Sequence, residues 1–218
     1  MLENKIAAGN QYTMEDVQIS LLDLVLSISN ALDHVAPELT NHHARVAYTA
    51  MSIAREMRME QHELQSLLLA SLLHDIGVLT SDERSQVSVF DSESIHRHAE
   101  AGYLLLKKYR LFDAVADIVR YPHASWSKCG SQCRCKGPAH GDVIPRASHI
   151  LHLADRINVL IGSSSDATPR QVASIIDVIS RESGSRFEPN AVAAFTRECT
   201  REQFWNELNC PQNVDVLR

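Results

Sequence analysis

His74 and Asp75 stand side by side at the end of the leucine-rich run LLLASLL, so chemistry must be read where the chain is most apolar. A buried carboxylate without a partner is costly, and an imidazole beside it is a natural co-ligand for a cation. Other residues of the same types recur along the chain. Glu38 and His42 are four apart, a spacing that stacks them on one helix face. His98 lies four residues before Gly102, where a missing side chain allows close approach of a neighbour. His123 follows Pro122, and Asp155 interrupts the apolar pattern of Leu151, Ala154 and Ile157. Taken singly, each of His42, His98 and His123 reads as a surface or hydrogen-bonded histidine, and Glu38 as a first-turn carboxylate favoured by the helix dipole. One site drawing imidazoles and carboxylates from several buried helices would give all of them partners. Such nitrogen and oxygen donors suit iron, manganese, cobalt or zinc, and the donor set does not choose among them.

The elements that must position these residues read as helices. Apolar residues recur at three and four: Val17, Leu21, Leu24, Val25 and Ile28 within 15–32, then Val46, Ala50, Ile53 and Met57 after Pro37. Further helices are expected over 65–73, 94–109, 111–121, 146–161, 169–181 and 189–209. Gly77 is placed to cap the helix over 65–73, while Pro169 and Pro189 suit first-turn positions. The segment 125–142 has no periodicity and carries Gly, Pro and three cysteines, so it reads as a loop.

The 218 residues include 44% hydrophobic and 22% charged, enough for a buried core and unlike a disordered chain. A net charge of −6 argues against a duplex DNA or RNA partner and against an anionic membrane surface. No apolar run reaches the length of a membrane span, and the polar start lacks the pattern of a secretion signal. A cytoplasmic location is therefore expected. In that setting Cys129, Cys133 and Cys135, with His140 beyond them, read as free thiols on a flap, a separate structural metal site, or a redox control. The flap reading would let this segment govern substrate access.

In order and spacing these motifs resemble the HD superfamily of metal-dependent phosphohydrolases, and within it the HD-GYP cyclic di-GMP phosphodiesterases. ELTNHHARV carries Glu38, His42, Arg45 and Val46; the spacing to Arg-Val selects His42 over His43. ASLLHDIGV supplies His74, Asp75 and Gly77; the helix from His98 to Gly102 and IPRASHILHLAD, ending at Asp155, follow. Phe187, Pro189 and Phe195 complete the likeness. The chain departs from that pattern on the substrate side. Val78 stands where the family has lysine, Pro122 where it has the first of two histidines, and the cysteine segment where it has Gly-Tyr-Pro.

The resemblance implies an all-α, single-domain helical bundle of the HD type over 15–210, including the loop 125–142, with tails at 1–14 and 211–218. It implies two divalent metals, iron or manganese first, with zinc, cobalt and nickel also compatible. His42, His74 and Asp155 would hold one, His98 and His123 the other, with Asp75 bridging and Glu38 as an extra ligand. His74 and Asp75 would then form the reacting centre, where an activated water attacks phosphorus. Lys128, Arg134, Lys136 and Arg146 are the cationic candidates for substrate. The implied substrate is a nucleotide or cyclic dinucleotide such as cyclic di-GMP. The alternatives are hydrolysis of another nucleotide, or an HD-type scaffold with little or no turnover. A sensory protein partner and a homo-oligomer are both compatible with the sequence.

Overall fold

The computed structural model describes residues 19–34, 41–78, 95–128, 144–162 and 168–210, the side chains of Ile95, His96 and Lys128 excepted. Among them run nine α-helices: α1 (Leu21–His34), α2 (His42–Glu56), α3 (Gln61–Leu73), α4 (Ile95–Leu106), α5 (Asp113–Val119), α6 (Arg146–Ile161), α7 (Pro169–Arg181), α8 (Pro189–Glu198) and α9 (Glu202–Leu208). Short 3-10 turns occupy Arg110–Phe112 and Trp126–Lys128. No strand forms among the described residues, and one isolated bridge joins Ser183 to Phe187. The all-α helical bundle expected from periodicity is therefore present. No described helix is long and apolar enough to cross a membrane.

Two helices make the interior. On α2, Val46, Ala47, Ala50, Ile53 and Ala54 are fully buried, as are Ile150, Leu151, Leu153, Ala154 and Ile157 on α6. A helix buried on nearly every side belongs at the centre of a bundle, and α2 packs on α3, α6 and α8. The alanines allow close approach. Each fully buried Leu or Ile contributes about 1.5–3 kcal/mol relative to exposure. Asn158 of α6 ties the pair by donating to the Thr49 hydroxyl (3.0 Å), while Ser148 donates to the Ile118 carbonyl of α5 (2.9 Å).

Boundaries differ from the periodicity where polar groups decide them. The third helix starts at Gln61, not Gln65, because Glu60 and Glu63 form a reciprocal capping box. Thr168 and Gln171 do the same for α7, with Pro169 in its first turn as expected. The helix expected over 189–209 is two helices. At the corner, Trp205 donates its indole N–H to the Cys199 carbonyl (2.8 Å), and Phe204 turns inward against Tyr48 and Phe195.

Gly77 does not cap α3. That helix ends at Leu73, His74 keeps right-handed helical geometry, and Gly77 is absent from the positive-φ glycines of the described chain, Gly162 and Gly184. Its role is close approach. A Cβ at Gly77 would lie 2.0 Å from the His98 carbonyl oxygen and 2.4 Å from the Gly102 amide nitrogen. This crossing presses the turn bearing His74 and Asp75 against α4 and so places His98. Gly77→Ala must push α4 away. Overpacking of this kind costs about 1–3 kcal/mol, a loss that urea unfolding would register; unchanged stability would show that the crossing is not tight.

Candidate metal centre

Four segments converge on Asp75. His42 and His43 open α2, His74 and Asp75 follow α3, His98 comes from α4, and Asp155 from α6. Asn41, with a left-handed φ of 60°, turns the chain into α2 and leaves both histidines facing inward. Asp75 is 1% exposed, His74 and His43 are fully buried, and Asp155 is 1% exposed. Ligand atoms of His42, His74 and Asp75 all lie within 4.8 Å of one another.

The distances divide the centre into two sides. On one, His42 Nε2 is 3.3 Å from Asp155 Oδ1, and His74 Nε2 is 3.9 Å from Asp155 Oδ1 and 3.5 Å from Asp75 Oδ2. On the other, His98 Nε2 is 3.9 Å from Asp75 Oδ1 and 3.3 Å from His123 Nε2, and His123 Nδ1 lies 4.0 Å from Asp155 Oδ2, where the two sides meet. The donor pairs are separated by more than a good hydrogen bond, the two shortest excepted, yet by less than twice a metal–ligand bond of about 2.0–2.2 Å. His74 donates Nδ1–H to the Ser71 carbonyl (2.9 Å), so its lone pair is on Nε2, and that atom has no hydrogen-bond partner among the described residues. Asp75 Oδ1 has none either. A backbone acceptor for one ring N–H, which leaves the lone pair of the other nitrogen for a cation, is how metal-binding histidines are held.

Electrostatics favour the same occupant. Burial pushes the Asp75 carboxyl up, but His74 first, then His43, His98 and His42, hold it below the usual carboxylate range. Asp155 is also held well below that range against its burial, chiefly by Arg156, which donates from Nη2 (2.6 Å) and Nε (3.0 Å) to Oδ2. Burial lowers His43 to about 4, His152 to about 3, and His123 well below its ordinary value. The result is two carboxylates held in the ionised form in a dry interior, with Arg156 engaged by Asp155. The donor set and its unpartnered atoms fit a divalent ion.

The other candidates are placed less centrally. Arg146 is paired with the buried Glu188 through Nε (2.9 Å) and Nη2 (2.6 Å). Lys128 ends a 3-10 turn that is pinned by Trp126 N–H to the Arg186 carbonyl (3.0 Å). Glu38, Arg134, Lys136, Cys129, Cys133, Cys135, His140 and Pro37 lie outside the described residues. Arg156 was not among the sequence candidates, although a carboxylate in the apolar pattern at Asp155 implied a neighbouring cation. His43, Asp33 and His152 gave no comparable signal, because their meaning depends on contacts between helices.

The HD-domain profile matches residues 27–191. The chain is 28% identical over 206 residues to 3'3'-cGAMP-specific phosphodiesterase 1 of Vibrio cholerae, covering 88% of this chain and 46% of that protein. It is 25% identical to 3'3'-cGAMP-specific phosphodiesterase 2 of the same organism, covering 82% and 35%, and 24% identical to the cyclic di-GMP phosphodiesterase of Thermotoga maritima, covering 79% and 48%. It thus spans less than half the length of these curated relatives. A crystal structure of a cyclic GMP-AMP-specific phosphodiesterase from V. cholerae superposes with a TM-score of 0.70 at 18% identity, over 90% of this chain and 53% of that one, a likeness of fold.

Arg156→Met removes the cation from a buried pair and leaves Asp155 uncompensated, which costs about 3–5 kcal/mol. Because the Asp155 carboxyl is held low in the folded protein, the stability it contributes is present above the unfolded value of about 3.9 and is lost as pH falls. Urea unfolding of metal-free protein should therefore show a large deficit for the variant that persists from pH 7 down to about pH 4 and narrows only below it. A deficit independent of pH would place the role of Arg156 in packing alone.

Proposed function

The chain belongs to the HD-domain family, and from that premise we propose that it is a metal-dependent phosphodiesterase that hydrolyses cyclic dinucleotides. The observation that carries the reading is Asp75, a dry carboxylate ringed by imidazoles, with one oxygen unpartnered among the described residues. The substrate class rests on the likeness to enzymes named for 3'3'-cGAMP and cyclic di-GMP.

In this reading His42, His74 and Asp155 would hold one divalent ion and His98 and His123 a second, with Asp75 contributing to both. Such ions, when bound, acidify water and offset charge on phosphoryl oxygens. The residues do the rest. His74 is oriented by Ser71, and Arg156 holds Asp155 with Oδ1 facing His42 and His74. Hydrolysis forms a new P–O bond from water and breaks the ester P–O bond, and the departing oxygen takes up a proton. Val78, where the family has lysine, offers no cation there, so Lys128, Arg134 and Lys136 are proposed to supply positive charge to the phosphates. Arg146 is bound to Glu188 and is the weaker candidate. Slow second cleavage is expected, with the linear dinucleotide accumulating.

A second reading, an HD-type signalling domain without turnover, is favoured by Val78 and Pro122 at positions where the family has lysine and histidine. Chromatographic assays of 3'3'-cGAMP and cyclic di-GMP with Mn²⁺ or Fe²⁺ separate the two. Turnover is expected for the native chain, and Asp75→Ala should lower it by about 10³-fold, the upper scale for losing a charge-stabilising group. Metal binding without hydrolysis of either dinucleotide would support the signalling domain.

A further inference from the structure

His43 lies beside the proposed ligand His42, is fully buried, and has one nitrogen that its surroundings leave unexplained. Its Nδ1 is 2.5 Å from Asp33 Oδ1, so the ring donates Nδ1–H to that carboxylate and carries its lone pair on Nε2. Nε2 has no hydrogen-bond partner among the described residues and lies 3.9 Å from Asp75 Oδ2, a second lone-pair atom. Two such atoms facing each other without a proton between them repel in a dry site unless something positive joins them. Their separation is below twice a metal–nitrogen or metal–oxygen bond of about 2.0–2.2 Å. The rings of His42, His43 and His74 surround one region, with centroids 5.5, 5.5 and 5.0 Å apart.

Asp33 is equally hard to explain as a fold element. It is 4% exposed and sits in the last turn of α1, where the helix dipole disfavours an anion. A neutral residue would pack there at less cost. Its carboxylate makes sense as the group that fixes the His43 tautomer, since ligand histidines are commonly backed by a carboxylate on the other nitrogen.

We infer that His43 is an additional ligand of the metal centre, on the Asp75 Oδ2 side, with its lone pair set by Asp33; this rests on the metal reading of the site proposed above. The helix α1, which otherwise contributes nothing to the centre, thereby becomes part of it. The ligand set on that side is then His42, His43, His74, Asp75 and Asp155.

The test is Co²⁺ titration of the metal-free 218-residue chain, followed by proton NMR of ¹⁵N-histidine-labelled protein. Rings bound through Nε2 keep Nδ1–H, which becomes strongly hyperfine-shifted. In native protein one such signal should belong to His43 and vanish in His43→Gln, and Co²⁺ affinity should fall by at least about tenfold. Asp33→Asn preserves the volume at position 33 and covers the case in which His43→Gln does not fold. It should move that one signal and weaken Co²⁺ binding while the other shifted signals hold. Native protein that binds no Co²⁺ overturns the metal reading and this inference together. Native binding with both variants unchanged in shifted signals and affinity overturns the inference alone.

Discussion

The structure depends on how a carboxylate can be kept ionised in a dry interior. Asp75 sits where leucines and alanines dominate, and imidazole nitrogens stand 3.5–3.9 Å from its oxygens. Those distances are too long for strong hydrogen bonds and suited to a shared cation. Asp155 meets the same difficulty differently, with a permanent cation on the next residue. One carboxylate is thus internally neutralised and the other is left for an external charge. That asymmetry suits the centre to a bound cation.

The bundle exists around this arrangement. Helices α2 and α6 are buried on nearly all sides, which brings the start of α2 and the middle of α6 together at His42 and Asp155. The Gly77 crossing against His98 and Gly102 fixes α4 at backbone contact with the turn after α3. Rigid packing at that point holds imidazoles from α2, α4 and the turn after α3 near one carboxylate.

Much of this was legible in one dimension. Periodicity predicted the helices, because most of them bury one stripe or more and alternate in threes and fours. His42, His74, Asp75, His98 and Asp155 stood out as polar residues in apolar contexts, and the structure brings them together. The failures have physical causes. Gly77 read as a cap because glycine after a helix usually is one, while its contact partner lies some twenty residues on, in α4. The break after Glu198 was hidden because Phe204 and Leu208 continue an apolar pattern, and only the Trp205 bond to the Cys199 carbonyl reveals the corner. His43 was set aside for its neighbour, since motif spacing selects one histidine and says nothing about where Asp33 will lie. Arg146 carried a charge that looked available until Glu188 was placed against it.

Anomalous diffraction from crystals of the full chain grown with Mn²⁺ tests the centre most directly. An anomalous peak is expected within bonding distance of Asp75 Oδ2 and His74 Nε2, about 2.0–2.3 Å, with a second on the Asp75 Oδ1 side near His98 and His123. A fully ordered Asp75 with no anomalous density near either oxygen would contradict the assignment of this cluster as a metal centre.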